Sequence, residues 1–559
     1  MKESPVTQEF PATQHAIQFV GAEQVVHNPA KPMYELGPRQ LLLKTEAVGI
    51  CFSDTKLLHA FDRHPRKSEV LSGLSADELA EIPSYQPGAR PIVPGHEPVG
   101  RIVAVGSDVR HHRVGERVLV QTDYRHLPTA SSNAAFGYNF EGALQEYVVL
   151  DERVIMDPNT GERFLIPVSD TPTSSAVALI EPWACVEAAY AWGERQTLKA
   201  GGRLLVVVDA GQSLQGVAAL RAASAPAEVT VIGTASSDEV GDSVRSASGV
   251  AELAGEQFDD IVYAGHNAEV IEQLGPLLAP FGVLDIVLGG GVVDRPVQVD
   301  VGRVHYDLIR YTGAADASAD AGYARIPAQC ELRPGDKVAI VGAAGPMGLM
   351  HTIRTAVSGV PGISMDAVDV DDVRLAHLSA VVAPVAEANG VPASFRNSRN
   401  EPLAPGYSYL AVMVPAPALI AQAVDLAGDN AIVNAFAGFA IGTLAPLDLN
   451  AIVTKGIYLV GTSGSRIQDM KAMLAKVEAG TLDTNVSLDA ITGMAGVADA
   501  IAAVNNRTSG GKIMVYPMLH DLGMVRLSEL AETLPQVAAA LVDGRWGPAA
   551  EAVLLRTAG

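Results

Sequence analysis

Gly335-Asp336-Lys337-Val338-Ala339-Ile340-Val341-Gly342-Ala343-Ala344-Gly345-Pro346-Met347-Gly348 predicts a turn, a buried strand and the start of a helix in direct succession. Glycines at such a strand-to-helix turn let backbone N–H groups and the positive end of the helix dipole approach a pyrophosphate. A second strand, Ala367-Val368-Asp369-Val370, reaches an acid 24 residues beyond Gly345 (369 − 345), where a carboxylate can accept hydrogen bonds from ribose hydroxyls. Gly342, Gly345, Pro346, Met347, Gly348 and Asp369 are therefore the candidate dinucleotide-binding residues, and Asp369 favours NAD over NADP. The competing reading makes Asp369 one more surface acid, because Asp366, Asp371 and Asp372 crowd the same stretch.

The pattern occurs once before. Gly201-Gly202-Arg203-Leu204-Leu205-Val206-Val207-Val208-Asp209-Ala210-Gly211 matches Gly335–Gly345 at an offset of 134 (335 − 201), and Leu308–Gly313 corresponds to Gly456–Gly461 as a closing strand. Apolar strands alternating with alanine-rich helices are the signature of a parallel, doubly wound sheet. A tandem pair of such units accounts for the length of 559 residues. In the first copy the turn reads Asp209-Ala210-Gly211-Gln212-Ser213-Leu214, which places a carboxylate where a pyrophosphate would lie, and Val229–Thr234 carries no ribose acid. That copy is expected to be degenerate and structural, with a divergent but working site as the alternative.

Upstream, Gln40–Thr45, Gly100–Val105, Arg117–Val120 and Leu144–Leu150 are short β-type runs between Gly and Pro turns, so residues 1–195 read as a β-rich domain. The first doubly wound unit then spans 196–320, the second 321–465, a return segment 466–517 and a helical tail 518–559, with apolar spacing around Leu527–Leu541 and Ala549–Leu555. Residues 59–94 interrupt the β-rich part with a basic stretch, Arg63, His64, Arg66 and Lys67, and a helical pattern near Ser75–Glu81. This loop either grips an anionic substrate or is a solvated insertion.

A net charge of −23 opposes a nucleic-acid partner. No apolar run is long enough for a membrane span, and Met1-Lys2-Glu3-Ser4-Pro5 begins no secretory signal, so a cytoplasmic protein without a membrane partner is expected. Three cysteines, Cys51, Cys185 and Cys330, are too few for a disulfide framework or a four-cysteine metal lobe, so any metal site must borrow histidine or carboxylate. Gly49-Ile50-Cys51-Phe52-Ser53-Asp54, Pro94-Gly95-His96-Glu97-Pro98-Val99-Gly100 and Ala178-Leu179-Ile180-Glu181-Pro182-Trp183 together supply thiolate, imidazole and carboxylate, a mixture that suits zinc. Cys185, Cys330, His111 and His112 have no such company and receive no role.

These segments, continued by Arg101–Gly106, Val114–Val118 and Gly142–Tyr147, resemble the zinc-binding and catalytic-domain motifs of the medium-chain dehydrogenase/reductase family, most closely its sorbitol dehydrogenase and sorbose-phosphate reductase branch. The resemblance implies an α/β chain with a GroES-like β-rich catalytic domain preceding the two doubly wound Rossmann units. It implies that Cys51, His96 and Glu97 sit on zinc, with Glu181 a further ligand or a carboxylate beside the ligands, and that Ser53 relays the alcohol proton. Against the family pattern, Ala343 stands in place of the first fingerprint glycine, with Gly342 beside it, and no cysteine cluster for a second, structural zinc occurs between 107 and 150. Ser487–Tyr516 resembles the family's return segment, ending in Gly510-Gly511-Lys512-Ile513-Met514-Val515-Tyr516-Pro517. The second unit is expected to face the zinc, with the first packed beside it, edge to edge as two subunits of a family dimer are; a homo-oligomer is left open. The implied activity is NAD-linked oxidation of a polyol, sugar or sugar phosphate, or the reverse reduction. A non-catalytic nucleotide sensor or scaffold with a vestigial dehydrogenase site is the alternative.

Overall fold

The computed structural model describes residues 10–462 and 464–557; the polar stretch Met1–Pro5 lies outside the described residues. The chain divides into two compact units, one formed by 1–184 with 465–559, the other by 185–464. The return segment and the tail thus belong to the same unit as the β-rich N-terminal part.

In the first unit an eight-stranded sheet is built around the long strand Gln40–Ile50. Its neighbours are antiparallel: Glu97–Val105 on one side, Lys512–Val515 on the other, and Tyr147–Asp151 along its first half. Leu41, Leu43, Ala47 and Val48 along the central strand are all buried, as expected for a strand covered on both faces. The strand read from Leu144 begins only at Tyr147, because Ala143 and Leu144 are spent on hydrogen bonds to the carbonyls of Gly95 and Pro94. A separate hairpin, Thr13–Gly21 with Gln24–Pro32, precedes the sheet.

The expected helix near Ser75–Glu81 is present as Ala76–Ala80, started by Ser75 and Glu78 in a reciprocal capping box. The first of the two expected tail helices is instead broken into Leu530–Thr533 and Pro535–Ala538, since Pro535 has no N–H with which to continue a helix. The second, Pro548–Thr557, turns the buried Glu551 onto the backbone N–H groups of Ser174 and Ser175 at 2.7 and 3.0 Å, where it caps the helix Ser174–Ala178.

The second unit holds two six-stranded parallel sheets. In one, strands occur in the spatial order Arg245–Ala247, Glu228–Gly233, Arg203–Val208, Phe258–Ala264, Leu278–Val287, Arg310–Ala314. In the other the order is Ala393–Asn397, Ser364–Asp369, Lys337–Val341, Tyr407–Val412, Ala427–Asn434, Tyr458–Val460. Each follows the 3-2-1-4-5-6 order of a doubly wound fold. The central strands begin 134 residues apart (337 − 203), the offset read from the sequence.

The two sheets approach each other at their last strands, Arg310–Ala314 and Tyr458–Val460. An antiparallel pair, Val297–Asp300 with Leu444–Leu447, adds backbone hydrogen bonds between the halves, and one apolar core containing Val304, Tyr311, Leu449, Val453 and Leu459 runs through both. At this seam Arg310 is buried and donates to Glu194 at 3.0 Å and to the carbonyls of Val304, Ile309 and Gly461, while Tyr458 donates to Glu194 at 2.8 Å. A buried guanidinium with this many acceptors keeps its charge without leaving an unpaired donor.

Candidate metal centre and dinucleotide turn

The register of two antiparallel strands assembles the metal cluster. Gly49 pairs with Glu97, so Cys51, just past the end of Gln40–Ile50, lies opposite His96 and Glu97 at the start of the neighbouring strand. The ligand atoms of Cys51, His96 and Glu97 fall within 4.8 Å of one another. Gly49 is required here, because a Cβ at that position would stand 2.1 Å from Glu97 Oε2.

Each side chain is oriented by a partner. Asp54, one helical turn into Phe52–Ala60, accepts from the Cys51 N–H at 2.9 Å through one oxygen and meets His96 Nδ1 at 3.1 Å through the other. A proton on Nδ1 facing Asp54 leaves the Nε2 lone pair free, the arrangement a metal-binding imidazole needs. Ser53 Oγ lies 3.0 Å from that Nε2. On the far side of the central strand, Lys512 Nζ donates to Glu97 Oε1 at 2.6 Å and to the Ile50 carbonyl at 2.9 Å. Burial disfavours the lysine charge, but the Glu97 carboxylate beside it holds the ammonium above its usual value.

The remaining oxygen of Glu97, Oε2, is buried and has no hydrogen-bond partner among the described residues. An orphaned carboxylate oxygen next to a thiol and an imidazole is the opening a cation would fill, so the donor set fits zinc. Glu181, in the first turn of Ile180–Ala191, is not in the close cluster but lies within electrostatic range of it. Burial pushes its carboxyl up to about 7, with His96 opposing the rise and Glu97 adding to it.

The sequence singled out Cys51, Ser53, His96, Glu97 and Glu181, but not Asp54, Lys512 or Tyr138. Tyr138 packs its ring 5.5 Å from His96 and 5.1 Å from His64. Asp54 sat inside a quoted motif and could have been found as a partner; nothing local marks Lys512, and Tyr138 follows no motif. The basic stretch is also rearranged: Lys67 is buried and spends its ammonium on the carbonyls of Gln86 and Arg90, and Arg66 pairs with Asp123 at 2.9 Å.

In the second sheet, the strand Lys337–Val341 runs through Gly342, whose φ is +80°, to Gly345, the N-cap of Pro346–Ala356. Gly348 has no room for a side chain, since a Cβ would stand 2.4 Å from the Gly342 carbonyl oxygen. Asp369 ends its own strand and accepts the Ala344 N–H at 3.0 Å, while Arg374 donates to the Ala344 carbonyl at 2.7 Å, so the acid and the turn are held together. The corresponding turn of the first sheet differs. Its helix, Val217–Ala223, begins nine residues after the strand (217 − 208) rather than five (346 − 341), and Asp209 accepts the Tyr263 hydroxyl at 2.5 Å.

Residues 37–159 match the family model of the alcohol dehydrogenase GroES-like domain. The chain is 30% identical over 185 residues to D-altritol 5-dehydrogenase of Agrobacterium fabrum (strain C58 / ATCC 33970), covering 31% of this chain and 44% of that protein. It is 36% identical over 103 residues to sorbitol dehydrogenase of Ovis aries, covering 17% and 23%. The matched stretches span less than half the length of these relatives. Among solved structures, 2R,3R-butanediol dehydrogenase from Bacillus subtilis superposes with a TM-score of 0.51 at 15% identity, covering 90% of this chain and 100% of that one, which is a likeness of fold. No helix among the described residues is long and apolar enough to cross a membrane. Residues 37–159 thus carry an alcohol dehydrogenase GroES-like domain, and the chain is similar over part of its length to polyol dehydrogenases.

Proposed function

We propose that the chain is an NAD-linked dehydrogenase that moves hydride between a secondary alcohol carbon of a polyol or sugar and the nicotinamide, at a zinc held by Cys51, His96 and Glu97. The observation that carries this reading is the buried, unpartnered Glu97 Oε2 beside the Cys51 thiol and His96. Zinc, when bound, supplies a Lewis acid that lowers the pKa of an alcohol or polarises a carbonyl. The nicotinamide supplies the hydride acceptor or donor.

The chain's own residues do the rest. Asp54 fixes the tautomer and plane of His96, and Lys512 neutralises one oxygen of Glu97 while leaving the other free. Ser53 accepts the alcohol proton at Oγ while donating its own onward, so the hydroxyl carries no net charge at any stage. Glu181, in the first turn of Ile180–Ala191, stands beside the cluster as a further ligand or a neighbouring carboxylate. The dinucleotide is assigned to the second sheet: Gly342, Gly345, Pro346, Met347 and Gly348 form the pyrophosphate turn and Asp369 takes the adenosine ribose. The longer turn and the Asp209–Tyr263 bond support a structural role for the first sheet.

A neutral polyol or sugar is favoured over its phosphate, because the burial of Lys67 and the pairing of Arg66 remove two cations from the stretch that would receive one. The test is NAD and NADP reduction across matched pairs of polyols, sugars and their phosphates. NADH formation with the unphosphorylated members supports the reading. Dinucleotide binding without turnover of any member would favour the sensor.

A further inference from the structure

Helix Val301–Tyr306 belongs to the first doubly wound half, yet it packs on the loop that follows strand Ala427–Asn434 of the second. Its first N–H, from Val301, donates to the Thr443 carbonyl at 3.0 Å. At its other end His305 is buried and donates from Nδ1 to the Ala435 carbonyl at 3.2 Å. Tyr306 meets the His305 ring edge to face, with centroids 4.6 Å apart and planes at 84°, and remains 41% exposed. Its hydroxyl reaches Gly438, where a Cβ would stand 2.8 Å from it.

This loop lies at the carboxyl ends of the second sheet. Ala437 N–H donates to the Val412 carbonyl at 3.1 Å, so Gly438 sits by the end of Tyr407–Val412, the strand beside Lys337–Val341. The strand order reverses between those two strands, and a dinucleotide lies across the crevice at such a reversal. With the adenosine on the side of Ser364–Asp369, the nicotinamide half falls on the side of Tyr407–Val412.

The two halves differ at the matching positions. Their closing strands are offset by 148 (456 − 308), which sets Val453 and Thr454 against His305 and Tyr306. The packing repeats: a Cβ on Gly313 would meet Val453 Cγ2 at 2.7 Å, and one on Gly461 would meet His305 Cα at 2.8 Å. The chemistry does not. A valine side chain has no hydrogen bond to offer, and Thr454 Oγ1 donates to the Asn450 carbonyl of its own helix at 2.6 Å. Valine and threonine suffice for the seam, so the imidazole and phenol that face the half with the intact dinucleotide turn serve something more than packing.

We propose that Tyr306, supplied by the half that takes no dinucleotide, binds the nicotinamide half of the cofactor, its hydroxyl hydrogen-bonding the carboxamide, with His305 as the positioning residue that holds its ring. The proposal rests on the assignment of the dinucleotide to the second sheet. A carboxamide offers an NH2 donor and an oxygen acceptor, and a phenol hydroxyl can answer either.

The experiment is calorimetric titration of the full-length protein with NADH and with ADP-ribose, which shares the adenosine and pyrophosphate but has no nicotinamide, in wild type, Tyr306→Phe and Thr454→Val. The expected result is that Tyr306→Phe weakens NADH about fivefold, the loss of one hydrogen bond, while ADP-ribose stays within about 1.5-fold and Thr454→Val changes neither. If wild type binds both ligands and Tyr306→Phe matches it for NADH, the proposal is overturned and the cofactor assignment stands. An equal loss for NADH and ADP-ribose also overturns it, since a contact to the nicotinamide cannot act on a ligand that lacks one. Wild type that binds neither ligand overturns the assignment and the proposal together.

Discussion

Lys512 Nζ sits 2.6 Å from one oxygen of Glu97 and leaves the other oxygen of the same carboxylate buried and unpartnered. The two residues lie on strands flanking Gln40–Ile50 from opposite sides, so the pair spans the central strand at the point where Cys51 leaves it. Breaking a buried ion pair from one side leaves an uncompensated charge and costs about 3–5 kcal/mol. Lys512→Met should therefore lower stability by that amount in denaturant unfolding. The Lys512→Met/Glu97→Gln double variant should lose less than the sum of the two single losses, and additive losses would contradict the coupling.

The turn and Asp369, the proposed ribose acid, are linked by the hydrogen bond from Ala344 N–H to Asp369. Asp369→Asn keeps an acceptor for the turn but removes the charge that repels a 2′-phosphate. It should lower kcat/KM with NAD about tenfold or more and narrow the preference over NADP. Steady-state kinetics with both cofactors checks this; an unchanged ratio would make Asp369 a turn-holding residue only.

Asp285, in the strand Leu278–Val287, is fully buried with neither carboxyl oxygen hydrogen-bonded among the described residues, and Gly322 packs against it. Burial, reinforced by Asp320 and Asp260, raises its pKa well above the ordinary carboxyl value. The folded state then binds a proton that the unfolded state releases, so stability falls as pH rises above the ordinary carboxyl pKa toward the raised folded one. Asp285→Asn should remove that slope and stabilise the protein at pH 8 by about 1–3 kcal/mol, with the gain vanishing near pH 4. Thermal unfolding across pH measures it; parallel curves for the two proteins would contradict the assignment.

Much of this arrangement was legible before any coordinates, for identifiable reasons. Strand-to-helix turns need glycine where a Cβ cannot fit, so Gly342 and Gly348 announce themselves, and the repeat at an offset of 134 exposes the two sheets. Candidate metal ligands are confined to few residue types, so Cys51, His96 and Glu97 stand out in company. Long-range partners were less visible. Lys512 reaches Glu97 across 415 positions, and nothing local in Gly510-Gly511-Lys512 reveals a buried ammonium. Lys67 reads as a solvated cation in its basic stretch, yet the carbonyls of Gln86 and Arg90 draw it inside.

The central claim is that Cys51, His96 and Glu97 hold a zinc on which dehydrogenase activity depends. Zinc content and polyol-dependent NADH formation, measured together on wild type and Cys51→Ala, test it most directly. The account predicts one tightly held zinc per chain with turnover in the wild type, and loss of both in Cys51→Ala. Full turnover retained in the Cys51→Ala protein, or a zinc content that the substitution leaves unchanged, would contradict it.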